Sequence, residues 1–280
     1  MKITQLRNAT IVLEFAAGAR PVALLVDPML APQGALPTLR YLGGQRRRNP
    51  LVDLPDGSDA VLSRVTHALI THCQRGHFDH LDRAGKRLLR ERAIPVACMP
   101  RDAAYLAARG IVVQPLAGPG RQPFLGTGHI TPVACVHGHG WVGRLMEHGH
   151  GYLIEMPGEP SVYIAGDTVL TPEVRDCLTR LRPDVAVLPA GGARFDLGGE
   201  ILMDGRDVLG ACGLAPGMVV ANHLEALDHC PTTRAGLRAL AADAGLGERL
   251  WVPEDGESRE FLRRVPVQAG ALAEQVSAGG

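Results

Sequence analysis

The stretch Thr71-His72-Cys73-Gln74-Arg75-Gly76-His77-Phe78-Asp79-His80 (THCQRGHFDH) directly follows the apolar run Ala68-Leu69-Ile70. Its three histidines and one aspartate, set where a strand-like segment ends, admit two readings. Imidazole nitrogen and carboxylate oxygen together suit Zn, Mn or Fe. Alternatively, Asp79 caps a following helix and the histidines are solvated in a polar loop. His77 and His80 are spaced i, i+3, so a helix beginning near residue 80 would turn them to one side with Asp79 beside them.

Three later segments decide between these readings. VACVHGHG (133–140) ends a strand with His137 and His139, VYIAGDT (162–168) ends one with Asp167, and MVVANH (218–223) ends one with His223. One histidine at a strand end is unremarkable. Four strand ends in succession that each deliver a ligand-type side chain describe a metal site, because α/β proteins build their sites at one edge of a sheet.

The rest of the chain supplies the frame. Val- and Ile-rich segments predict strands at 10–15, 22–26, 67–71, 111–114, 130–136, 151–155, 161–165, 184–188 and 217–221, and the N-terminal MKITQLR also alternates like strand. Helices are expected at 80–92, 101–109, 171–181, 204–212 and 231–243, the last opening on Pro-Thr-Thr. Strands cluster early, alternate with helices, cluster again at 130–165 and alternate once more. This predicts one domain over 1–280 made of two β-rich halves with helices outside. Residues 31–58, which include Arg46-Arg47-Arg48, read as an irregular loop or arm, and residues 268–280 as a frayed tail.

The 280 residues carry net charge +0 and are 46% hydrophobic, enough for a substantial core. Zero net charge argues against a nucleic-acid surface, which draws on excess Lys and Arg. The six cysteines lie far apart with no CxxC pair, so they are expected as small buried hydrophobes in a reducing cytoplasm. Neither a secretory leader nor a run of about 18 apolar residues is found, so no membrane association is expected.

On His72, His77, Asp79, His80, His137, the Gly166-Asp167-Thr168 turn, His223, NATIVLEF (8–15) and LLVDP (24–28), the sequence resembles the metallo-β-lactamase superfamily. More narrowly it resembles the branch containing ascorbate-6-phosphate lactonase and related metal-dependent hydrolases. The resemblance implies a four-layer αβ/βα sandwich, two sheets face to face with helices outside. It implies that His72, His77 and His137 hold a first divalent metal, that Asp79, His80 and His223 hold a second, and that Asp167 bridges the two. Zn or Mn is expected, with Fe as an alternative. Two such ions, about 3.5–4 Å apart, would acidify a shared water, which Asp79 or Asp167 would orient, with His139 as a donor to the developing oxyanion.

The sequence departs from the superfamily pattern at one place. The family sets one residue between its first two histidines, whereas Cys73-Gln74-Arg75-Gly76 stands between His72 and His77. Either the extra residues bulge at Gly76 and leave His72 in place, or His72 is displaced and Arg75 takes its position.

Substrate-side candidates are fewer. Arg194 in PAGGARFD suits an anion, Trp141 in GHGWVG could cover a pocket, and HLEALDHC (223–230) adds Glu225 and Asp228 as carboxylates that could orient a bound imidazole. His229 in the same segment could line the pocket. The expected function is hydrolysis of a small ester, lactone or phosphodiester, with a small molecule, neutral or anionic, as partner and a homo-oligomer left open. A mono-iron oxidoreductase and a non-catalytic binding protein with a degenerate metal site are the alternatives.

Overall fold

The computed structural model describes residues 1–16, 21–40, 42, 46–74, 76–146 and 149–264. The first half runs β1 (Lys2–Arg7), β2 (Thr10–Phe15), β3 (Val22–Val26), α1 (Ser58–Ser63), β4 (His67–Leu69), α2 (Arg83–Glu91), β5 (Val96–Cys98), α3 (Pro100–Ala107) and β6 (Val113–Pro115). The second runs β7 (Gln122–Phe124), β8 (Gly128–Ala134), α4 (Gly140–Leu145), β9 (His150–Glu155), β10 (Val162–Ile164), α5 (Pro172–Asp176), β11 (Val185–Pro189), α6 (Gly205–Leu214), β12 (Met218–Asn222), α7 (Arg234–Asp243) and β13 (Leu250–Trp251). A last strand, β14 (Ser258–Glu260), returns to the first half.

Two seven-stranded sheets result, ordered β14-β1-β2-β3-β4-β5-β6 and β13-β12-β11-β10-β9-β8-β7. Each begins as an antiparallel meander and continues as parallel strands joined through helices. Period-two alternation sorts the side chains into layers. Leu13, Phe15, Leu24 and Val26 face the other sheet, where Tyr152, Ile154, Ile164 and Val187 meet them. Val12, Ala23 and Leu25 face outward to Leu62, Leu89 and Leu106 of the first helical layer. On the far side, Leu188 and Val219 pack on Val174, Val208 and Leu237 of α5, α6 and α7. Strands covered on both faces read as continuous apolar runs. The arrangement is the expected αβ/βα sandwich.

Some boundaries differ from expectation. Strands β5, β7, β13 and β14 are two or three residues long, too short to show a period, and α1 and α4 are six-residue helices. The helix expected at 80–92 begins at Arg83, because the Asp82 carboxylate caps it by accepting from the Gly85 amide. His77, Asp79 and His80 therefore lie in the turn before the helix and do not share a helix face. Where described, the 31–58 arm is irregular apart from a bridge between Leu36 and Asn49 and the start of α1. Its anchor is Arg7, fully buried, whose guanidinium donates to the carbonyls of Val52, Met29 and Ala31. The expected tail at 268–280 lies outside the described residues. Among the described residues no helix is long and apolar enough to cross a membrane.

Candidate metal centre

Strands β4, β10 and β12 end at the same edge of the sandwich. β8 runs in the same direction as β10, since both are antiparallel to β9. The four strand ends therefore deliver their polar residues to one place. His72, His77 and His137 form one group, and Asp79, His80, Asp167 and His223 a second; within each, the potential ligand atoms lie within 4.8 Å of one another. All seven residues are buried. Asp167 Oδ2 lies between the groups, 3.0 Å from His80 Nε2, 3.4 Å from His137 Nε2, 3.6 Å from His223 Nε2 and 4.0 Å from His72 Nε2. Asp79 Oδ2 is 3.5 Å from His223 Nε2 and 3.6 Å from His80 Nε2.

The outer nitrogen of each imidazole is engaged. His72 Nδ1 meets Thr71 Oγ1 at 3.0 Å, His77 Nδ1 the Gln74 carbonyl at 2.6 Å, and His80 Nδ1 the Asp27 carboxylate at 2.9 Å. His137 Nδ1 meets the Ile201 carbonyl at 2.9 Å, and His223 Nδ1 the Cys230 sulfur at 3.6 Å. Carbonyl and carboxylate partners require Nδ1 to be the donor, which leaves an Nε2 lone pair pointing inward. Thr71 Oγ1 donates to Asp27 Oδ2 at 2.6 Å, so toward His72 it accepts, with the same result. His72 Nε2 and Asp167 Oδ1 are buried with no hydrogen-bond partner among the described atoms. Buried polar atoms without partners are costly, and inward lone pairs around a shared carboxylate are the donor set that a divalent cation satisfies. The residues fit the group.

The electrostatics follow from this crowding. Burial lowers His72 well below the usual histidine range, and the neighbouring His80 and His77 push it the same way. Burial also brings His137 down to about 4. His80 and His223 go the other way: burial opposes their charge, but Asp167 outweighs it, joined by Asp79. The Asp79 and Asp167 carboxyls are held below the ordinary range by His80 and His223 in spite of burial.

The four residues between His72 and His77 do not dislodge His72. It is fully buried, with its ring centroid 4.3 Å from that of His77 and 4.0 Å from that of His80. Gly76 takes φ +92°, the turn that the bulge reading requires, and Gln74 ties the loop to Asp102 of α3. Arg75, the rival occupant, lies outside the described residues.

UPF0173 protein YddR of Bacillus subtilis (strain 168) is 32% identical to the chain over 269 residues, covering 93% of this chain and all of the relative. The chain belongs to the UPF0173 family. A UPF0173 relative from Xanthobacter autotrophicus, named as a metal-dependent hydrolase, is 30% identical over 210 residues, covering 71% of this chain and 74% of the relative. No family model matches the chain. Among solved structures, the isothiocyanate hydrolase from Delia radicum gut bacteria superposes with TM-score 0.81 at 31% identity, covering 94% of this chain and 99% of the other. The metallo-β-lactamase fold protein YhfI of Bacillus subtilis, at 14% identity and TM-score 0.59 over 92% and 98%, shares the fold. The superfamily resemblance is borne out; the narrower lactonase branch is not established.

Other expected site residues of this UPF0173 chain fall elsewhere. His139 is exposed at the N-terminus of α4, outside both ligand groups. Its position is on the rim, because Gly138, at φ +103°, turns the chain away after His137. Trp141 is 61% exposed one residue into α4, and the Arg194 side chain is also exposed, while its backbone pairs with Glu200. Asp228 does not orient a ligand; it accepts from Thr38, Leu39 and Asn49 and so ties down the 31–58 arm. Glu225 pairs with Arg234 at 2.8 Å. His229 is buried, stacked on Phe195 with centroids 5.9 Å apart, and feels the charge of Asp79.

Three contributors escaped sequence reasoning. Asp27, in the LLVDP motif, accepts from His80 Nδ1 and from the Thr71 amide and hydroxyl. Asn8 Nδ2 donates to the Asp79 carbonyl at 3.3 Å and lies 3.4 Å from His223 Nε2. Cys230 is the third. Burial raises Cys98 and Cys177 to about 12 and Cys212 to about 11, as expected of small hydrophobes. Cys230 is brought down to about 7, because His229 and His223 outweigh burial there.

Proposed function

We propose that the chain is a metal-dependent hydrolase of a small-molecule electrophile, using two divalent cations of the Zn or Mn type. The observation that carries this reading is the inward convergence of seven buried ligand-type groups on Asp167. His72, His77 and His137 would hold one cation and Asp79, His80 and His223 the other, with Asp167 in reach of both groups. Such ions supply an acidified water and positive charge against the bond to be cut.

The protein's own residues do the rest. Asp79, beside His80 and His223, would orient the attacking water and accept its proton. Asp27 and the Ile201 carbonyl fix the tautomers of His80 and His137, so that neither ring reorganises during turnover. Burial of the cluster excludes bulk water. The relatives named as metal-dependent hydrolases support this class, and the isothiocyanate hydrolase makes a carbon electrophile of that kind the first substrate to try, ahead of lactones and phosphodiesters.

The test is metal content per chain by elemental mass spectrometry, for wild type and His72→Ala purified without a histidine tag, followed by turnover of phenethyl isothiocyanate and a lactone panel. Two equivalents falling to one or less in the variant, with turnover lost, are expected. One iron with oxygen consumption would replace hydrolysis with oxidoreduction, and a metal-free protein would sink the catalytic reading.

A further inference from the structure

A cleft of about 1080 Å³ opens between α2 and the 31–37 part of the arm, and its lining reaches His77 and the adjoining Phe78. Arg83, Lys86, Arg87 and Arg90 of α2 all line it. These positions are i, i+3, i+4 and i+7, so they form one stripe along the helix. Over seven residues the stripe runs about 10 Å. Tyr105 and Arg109 extend the lining from the α3 side. Lys86 donates to the Tyr105 hydroxyl at 3.1 Å, and the Arg109 guanidinium lies 3.5 Å from the Tyr105 ring centre.

Arginines on a helix are usually neutralised by nearby acids or spread around the surface. These five cations are concentrated on one cavity, and none has a carboxylate within 4.0 Å among the described residues. The acid that lines the cleft, Asp82, is already engaged, accepting from the Ala31 and Gly85 amides. The chain as a whole is neutral, so this is a local separation of charge. A concave wall of one sign focuses the field and raises the local concentration of counter-charged ligand.

We propose that this cleft is the anion-recognition subsite of the enzyme. It would take substrates whose body carries a phosphate, sulfate or carboxylate on the α2 stripe while the reactive group reaches the metal centre past His77. The proposal rests on the hydrolase reading and adds the substrate class. It also moves anion recognition from Arg194, which lies outside this lining, to α2.

The probe is naphthalene-1,5-disulfonate, a dianion whose sulfonates are poor ligands for zinc or manganese, titrated into metal-loaded protein by calorimetry. Wild type should bind it, and more weakly as salt is raised. Arg87→Gln/Arg90→Gln, both exposed positions, should weaken binding about tenfold or more, while Arg206→Gln on α6 should match wild type. No binding by wild type, or equal binding by the double variant, overturns the subsite. Tighter binding of a short single-stranded oligonucleotide overturns the small-molecule assignment. Metal content measured on the same samples separates the two readings: normal metal without disulfonate binding sinks the subsite alone, and disulfonate binding without metal sinks the hydrolase reading.

Discussion

Asp27 makes three hydrogen bonds at once, to the Thr71 amide, the Thr71 hydroxyl and His80 Nδ1. Through them one carboxylate sets the orientation of the loop that begins with His72 and the tautomer of His80. Replacing such an orienting partner typically costs 10–100-fold in metal affinity. Asp27→Ala should lower affinity by about that factor in a chelator-competition titration, and an unchanged affinity would show that Asp27 serves the fold alone. The converging residues were legible in the sequence because each follows an apolar strand, His137, Asp167 and His223 directly and His72, His77, Asp79 and His80 in the loop that leaves β4, where polar side chains after an apolar run stand out. Asp27 and Asn8 were not, because their roles arise from contacts between distant segments: Asp27 meets His80 across 53 positions, and Asn8 meets His223 across 215. Cys230 was missed for another reason: the irregular turn that brings its sulfur to His223 and His229 has no periodic pattern. His139 shows a placement that spacing alone does not give. Its spacing from His137 suggested a shared site, and a single glycine turn sends it to solvent.

At the scale of elements, the loop from Cys73 to Gly76 carries the departure from the superfamily pattern. A Cβ on Gly76 would meet nothing within 4 Å, so Gly76→Ala strains the backbone alone, at φ +92°. The left-handed conformation costs a non-glycine residue about 1–2 kcal/mol. The variant should melt a few degrees lower and lose metal from the His72–His77–His137 group, read by melting and elemental analysis together; unchanged metal would mean the loop shape does not position His72. The segment after β13 gives a pH-dependent prediction. Burial pushes Asp255 from its ordinary 3.8 up to about 6, although Arg234 and Arg7 pull it down. Between those values the folded chain binds a proton that the unfolded chain has released. Stability from this group is therefore full below about pH 4 and is lost as pH rises through about 6. Over that window wild type should lose Tm relative to Asp255→Asn, and parallel profiles would refute the assignment. Elements of five residues or more were mostly visible in the sequence; two- and three-residue strands exist because a neighbour pairs with them, which no local pattern encodes.

For the whole molecule, the division of the ligand set matters most. The first half supplies His72, His77, Asp79 and His80, and the second supplies His137, Asp167 and His223. A cation bound at either group would therefore tie one sheet to the other and stabilise the folded state by mass action. Stripping metal with EDTA should lower Tm by several degrees, and zinc or manganese should restore it; a Tm indifferent to metal would contradict the proposed centre. The chain crosses from the first sheet to the second through the turn around Gly118–Gly120, between β6 and β7, and β14 crosses back to hydrogen-bond with β1. Cutting the chain at that turn would give two pieces, neither with a full set of ligands, and the later piece would carry an edge strand belonging to the earlier one. Co-expressed, the pieces should assemble by strand exchange and metal capture together. The fold would then serve as a metal-gated split reporter.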